Sequence, residues 1–153
     1  MIALGEMARR QPGSLHCFVC GRENPIGLKV RFYQRGNQVI AHFTPGPEHQ
    51  GYPDRMHGGI ACTLLDETVG RAGFIYGIWT FTAKIEFKYR KPIPLGQEIT
   101  VVGEMTRDRG KMIEARGLLL LADGSVAVEA SGLFVKLKPG ELESLEREVG
   151  LLE

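Results

Sequence analysis

The chain has little net charge, little cysteine and no long apolar run. Its 19 basic and 18 acidic residues leave +1, so no broad electrostatic footprint is present for nucleic acid or for an anionic membrane. No stretch reaches the ~18 uninterrupted apolar residues of a membrane-spanning helix. The residues after Met1 include Glu6 and Arg9-Arg10 and hold no apolar run of signal length. A soluble cytoplasmic protein is the expectation. Three cysteines cannot all pair within one chain, which also suits a reducing compartment. There is no internal repeat and no low-complexity tract, and 153 residues suit one domain burying about two-thirds of its unfolded surface.

Twenty glycines and eight prolines punctuate the chain into short elements. Residues 1–26 read as an irregular entry segment, 27–138 as the domain proper and 139–153 as a C-terminal helix. Leu28–Tyr33 and Val39–Phe43 alternate apolar and polar residues around Arg35-Gly36-Asn37, the pattern of a hairpin. After a loop from Pro45 to Met56, the period changes. Ile60, Ala61, Leu64, Leu65, Thr68, Val69, Ala72 and Phe74 give a wide apolar surface on a helix spanning about His57 to Tyr76. Phe81, Ala83, Ile85, Phe87 and Tyr89 then alternate with Thr82, Lys84, Glu86, Lys88 and Arg90, which predicts a strand with one apolar and one polar face. Glu98–Thr106, Met112–Ala122 and Val126–Leu137 read as a meander, and Pro139–Val149 as a short helix. The fold class expected is α+β: an antiparallel sheet of about six strands wrapped on one long central helix. One face and the edges of such a sheet stay open, which favours pairing with a second subunit.

The chemistry concentrates in His57-Gly58-Gly59, followed by a helix carrying Asp66 and Glu67. Backbone N–H groups at a helix start suit a developing oxyanion, and a nearby carboxylate can attack or can activate water. A glycine pair also serves simply as a tight entry into a packed helix. An Asp-Glu pair usually faces solvent, but Leu64, Leu65 and Val69 flank this one, and a carboxylate shielded without a partner is costly. Adjacent helix positions point about 100° apart, so only one of the two acids can face a substrate.

Several segments together resemble a known family. They are Cys17-Phe18-Val19-Cys20-Gly21 with Asn24-Pro25-Ile26-Gly27-Leu28, then His49-Gln50-Gly51-Tyr52-Pro53, then His57-Gly58-Gly59 with Asp66, then Thr82 leading into Tyr89-Arg90-Lys91-Pro92. Over nearly its whole length the chain is similar to hotdog-fold acyl-CoA thioesterases of the PaaI-like, 4-hydroxybenzoyl-CoA thioesterase superfamily. The resemblance implies hydrolysis of an acyl-CoA without metal or other cofactor, at a site shared by two subunits of a homodimer or of a tetramer built from dimers. It places Gly58 and Gly59 at the oxyanion position, His57 as an orienting residue, Asp66 as the carboxylate, and Thr82 as a hydroxyl that places the water or the acid. Many relatives carry Asn or Gln where this chain has Gly51, which makes Gln50 a candidate accessory residue alongside Glu67. Lys88, Arg90 and Lys91 are candidates for the phosphates of coenzyme A, against the plainer reading of a solvated basic face. A non-enzymatic acyl-CoA sensor and an acyl-CoA hydratase share the fold as alternatives.

Cys17-x-x-Cys20 lacks a second pair at ligand spacing, so packing or two free thiols is expected there rather than a metal. Cys62 is expected to be a small buried hydrophobe, and Trp79 and Phe81 to pack in the core or at a subunit interface.

Overall fold

The structure is a computed structural model that describes residues 8–149 and 151–152. In chain order it contains β1 (Arg9–Arg10), β2 (Gly13–Ser14), β3 (Phe32–Arg35), β4 (Gln38–Phe43), α1 (Gly58–Gly70), β5 (Thr80–Tyr89), β6 (Ile99–Asp108), β7 (Met112–Leu120), β8 (Val126–Lys136), α2 (Pro139–Val149) and β9 (Leu151–Leu152). Seven strands form one sheet in the order β1-β3-β4-β6-β7-β8-β5, and β2 pairs with β9 apart from it. Every pairing is antiparallel. The expected layer of one sheet on one helix is therefore present, with the two-residue β1 added at one edge.

Helix α1 buries Ala61, Leu64, Leu65, Thr68 and Val69 against the sheet. Ala61, Leu64, Leu65 and Val69 form a continuous core with Ile99, Val101, Ile113, Leu119, Val128 and Phe134. The helix approaches the sheet closely at Gly103 and Gly117, which are cross-strand partners on β6 and β7. A Cβ on Gly103 would lie 2.8 Å from the Thr68 carbonyl oxygen, and one on Gly117 would run into the Val69 side chain, 2.5 Å from its Cγ2. This patch without side chains lets the helix backbone rest on the sheet. Gly103→Ala is expected to destabilise the fold by about 1–3 kcal/mol through overpacking, lowering the melting temperature by about 2–4 °C per kcal/mol. Thermal denaturation followed by circular dichroism measures it.

Four local departures from the sequence pattern have identifiable causes. Leu28 and Val30 are buried as expected of a strand, but their N–H groups bond to the carbonyls of Phe18 and Val19, so β3 begins only at Phe32. The entry segment is thereby stitched to the core, and it contains two short strands. The helical stretch divides into α1 and a 3₁₀ turn over Arg71–Tyr76, which ends at Gly77 with φ +71. A Cβ on Gly73 would meet the Ile78 carbonyl at 2.7 Å, so the chain needs glycine where it turns tightly toward β5.

The fourth departure affects the site. The register between β5 and β8 shifts between Thr82 and Lys84, leaving Ala83 as a bulge. Residues on either side of a bulge exchange faces relative to strict alternation. Thr82 therefore pairs with the fully buried Phe134 and shares the helix-facing side with Ile85 and Phe87. Phe81 turns to the opposite side and is 55% exposed, not packed in the core.

Candidate active site

His57 begins α1 as its N-cap, and its Nδ1 accepts the Gly59 N–H at 2.8 Å. The Ile60 and Ala61 N–H groups both turn to the His57 carbonyl. Among the described residues, the Gly58 N–H makes no hydrogen bond. The two glycines are thus not equivalent: Gly59 is capped, and Gly58 presents the open donor at the positive end of the helix.

Tyr89 fixes this turn from the sheet. Its hydroxyl donates to the Gly58 carbonyl at 2.8 Å, and its ring lies against Gly58, where an added Cβ would approach Cε1 to 3.3 Å. Since the tyrosine proton is committed to Gly58, the Cys62 thiol, with Sγ 2.7 Å from the Tyr89 oxygen, is the donor in that contact. Burial of the hydroxyl, with the Cys62 bond, pushes the Tyr89 phenol up to about 12, so it remains a protonated donor at neutral pH. Cys62 is partly buried and hydrogen-bonded, more than the small buried hydrophobe expected. The peptide unit between Gly58 and Gly59 is held at both ends, by Tyr89 at its carbonyl and by His57 at its N–H.

A cavity of about 800 Å³ opens at this turn, lined by His57, Gly58 and Tyr89 together with Tyr52, Arg55 and Met56. Arg90 and Lys91 also reach it, whereas Lys88 lines a separate depression on the outer face of the sheet. Arg90 is paired with Glu129 at 2.9 Å. Gln50 also borders the cavity, but its Oε1 accepts the Asp54 N–H at 3.1 Å, and His57 turns to Gly59 instead. Arg55 was not evident from the sequence. It lies in a loop without periodicity, placed by a bridge to Pro94 and by the left-handed Asp54 at φ +61.

Asp66 lies eight residues beyond Gly58 on α1, about 12 Å along the helix at 1.5 Å per residue. It is partly buried, and its Oδ1 accepts the Thr82 hydroxyl at 2.8 Å across the bulged end of β5. The bulge makes this contact possible. Glu67 points elsewhere: its Oε1 receives Arg71 Nε and Nη2, both at 3.0 Å. Asp66 and Thr82 thus form one group and Gly58, His57 and Tyr89 another, at separate positions along the same helix.

A further cluster lies around Arg71. This guanidinium is 5% exposed, stacks 4.3 Å over the Phe32 ring, and donates to the Pro12 carbonyl at 2.7 Å and to Cys20 Sγ at 3.2 Å. A hydrogen bond from the Cys20 thiol, helped by the Cys20 and Val19 amides, draws the Cys17 thiol down to about 6. The same thiol contact, together with burial, pushes Cys20 up.

A helix clasped by an antiparallel sheet, with an open amide at its start and a hydroxyl-supported carboxylate farther along, defines a hotdog-fold protein. More narrowly, the family model of the thioesterase superfamily matches residues 54–128. The chain is 31% identical over 125 residues to the rat acyl-coenzyme A thioesterase THEM4, an alignment covering 80% of this chain and 54% of that protein. A solved thioesterase superfamily protein is 33% identical with a TM-score of 0.76, covering 79% of this chain and 60% of the other. A hypothetical thioesterase from Streptococcus pneumoniae, solved with coenzyme A, has a TM-score of 0.66 at 17% identity, covering 71% and 85%; that likeness bears on the fold alone. The chain spans about half the length of the curated THEM4 relatives it matches.

Proposed function

We propose that this protein hydrolyses an acyl-CoA thioester to a carboxylic acid and free coenzyme A, at a site completed by two copies of the chain. The observation that carries the proposal is the pairing of an open Gly58 N–H at a helix start with the Asp66–Thr82 contact on the same helix. The thioester carbonyl oxygen accepts the Gly58 N–H as negative charge develops on it. Asp66 either attacks the carbonyl carbon, expelling the thiolate and forming an anhydride that water then hydrolyses, or takes a proton from a water that attacks directly; in both routes the coenzyme A sulfur leaves and takes up the proton that water supplies. Thr82, donating to one carboxylate oxygen, fixes the other toward the reacting carbon. One helix cannot bring both groups to one carbonyl over about 12 Å.

Two copies joined along the open edge of β5 would continue the sheet and bring Asp66 of one subunit toward Gly58 of the other. That strand is ten residues long and, among the described residues, pairs only with β8, leaving the kind of edge that recruits a second chain. This supports a homodimer, or a tetramer built from dimers. Arg55, Arg90 and Lys91 around the cavity suit the phosphates of coenzyme A; Lys88 is on the other side of the sheet. A cytoplasmic location is part of the proposal, since Cys17, Cys20 and Cys62 are free thiols.

The test is free-thiol release from short, medium, long and aromatic acyl-CoAs. Release from at least one class supports hydrolysis; measurable binding without release from any would move the protein to the sensor class. Tyr89→Phe keeps the ring but removes the donor to Gly58. It is expected to lower kcat roughly 10- to 100-fold with KM little changed, because it loosens the turn that aims the amide. Steady-state kinetics with the best substrate measures it, and an unchanged kcat would remove Tyr89 from this role.

A further inference from the structure

The two cysteines of the entry segment and an acid of the central helix meet in space. One ligand atom each from Cys17, Cys20 and Glu67 lies within 4.8 Å of the other two. Two sulfurs bound to one tetrahedral zinc at ~2.3 Å stand ~3.8 Å apart, so a small contraction would close the group on a cation. We propose that Cys17, Cys20 and Glu67 bind one zinc-class divalent cation, clamping the entry segment to the C-terminal half of α1.

The backbone around the pair is built as a thiolate knuckle. The Val19 N–H points to Cys17 Sγ at 3.4 Å, and the Gly21 N–H closes the turn on the Cys17 carbonyl at 2.8 Å. A Cβ on Gly21 would collide with the Cys17 backbone, so the glycine after the second cysteine is required by the turn itself. N–H groups aimed at sulfur stabilise thiolate ligands and orient them, as an outer shell does in metal sites.

Charge distinguishes a cation site from a redox dithiol. A carboxylate beside two sulfurs opposes thiolate formation and contributes nothing to disulfide exchange, yet it is a natural third ligand. Two thiolates and one carboxylate around a divalent cation carry a net charge of −1. Arg71, donating to Cys20 Sγ and Glu67 Oε1 from a buried position, supplies the balancing +1. A cavity of about 170 Å³ between this group, Trp79 and Leu142 leaves room for a fourth, exchangeable ligand such as water. The sequence alone finds only one CxxC pair. The third donor comes from a helix whose packing brings it there, and the site is separate from the Asp66–Thr82 pair.

The experiment is a titration of the reduced, chelator-treated wild-type protein with Co²⁺. The expected result is one ion per chain, with sulfur-to-cobalt charge-transfer absorption that Zn²⁺ abolishes by displacement. Zn²⁺ is expected to protect two of the three thiols from alkylation, and to raise the melting temperature by about 5–10 °C at a free concentration a hundredfold above Kd. Cys17→Ser and Cys20→Ser should each weaken Co²⁺ binding by at least about 10- to 100-fold, and Glu67→Gln by about tenfold, whereas Cys62→Ser leaves it unchanged. The proposal is overturned if wild-type protein shows no thiolate charge-transfer band at saturating Co²⁺. It is equally overturned if Cys17 and Cys20 form a disulfide whose reduced form takes up neither ion. These readouts are independent of turnover, so they stand whether or not the protein hydrolyses thioesters.

Discussion

Asp66→Asn is expected to lower turnover about 10³-fold, within the range for losing a positioned base or nucleophile and equivalent to about 4 kcal/mol of transition-state stabilisation. The substitution is nearly isosteric and its amide oxygen can still accept from Thr82, so the contact at 2.8 Å can persist. Stability should change by no more than about 0.5 kcal/mol, as for a substitution outside the core, and the oligomeric state should not change. Thiol-release kinetics, thermal denaturation and gel filtration on the same preparation check all three. Turnover within threefold of wild type would remove the carboxylate from the chemistry, and a large loss of stability would show that Asp66 also holds the fold.

Gly58→Pro provides the complementary deletion. Gly58 is the first residue of α1, where proline is well tolerated because its φ suits the helix and its missing N–H has no intrahelical partner. His57, at φ −59 and ψ 134, already has a backbone that can precede proline. The substitution removes the one donor proposed to meet the oxyanion while leaving the Gly59 N–H capped by His57. A fall of about 10²–10³ in kcat is expected, with KM close to wild type. Gly58→Ala is the control: it keeps the N–H and adds only a Cβ 3.3 Å from the Tyr89 ring, so its loss should be much smaller. Equal losses in the two variants would mean that steric disturbance, and not the amide, explains the effect.

The sequence carries the layer architecture and the two ends of the site because both depend on local pattern. The wide apolar face from Ile60 to Val69 requires a sheet over it, and His57-Gly58-Gly59 marks the helix start through the capping and glycine chemistry of adjacent residues. What was not legible depends on pairing between distant segments. The bulge at Ala83 reverses the faces of Phe81 and Thr82, and it is set by the register with β8, some fifty residues later. Whether Gly58 or Gly59 carries the open N–H depends on the rotamer of His57, which has no sequence signature. Tyr89 reads as one more apolar position of an alternating strand, yet it holds the helix start through its hydroxyl. Glu67 looked like a rival to Asp66, and its partner Arg71 one turn later was the available signal that it belongs to another cluster.

The central claim is that Gly58 of one subunit and Asp66 of another act on the same thioester. The most direct test is thiol release by a heterodimer carrying Gly58→Pro in one subunit and Asp66→Asn in its partner, purified through two different affinity tags. Each variant homodimer has two damaged sites, whereas the heterodimer has one doubly damaged and one intact site. About half the wild-type turnover per dimer is therefore predicted. A heterodimer that is folded and assembled but no more active than either homodimer would contradict a site shared across the interface.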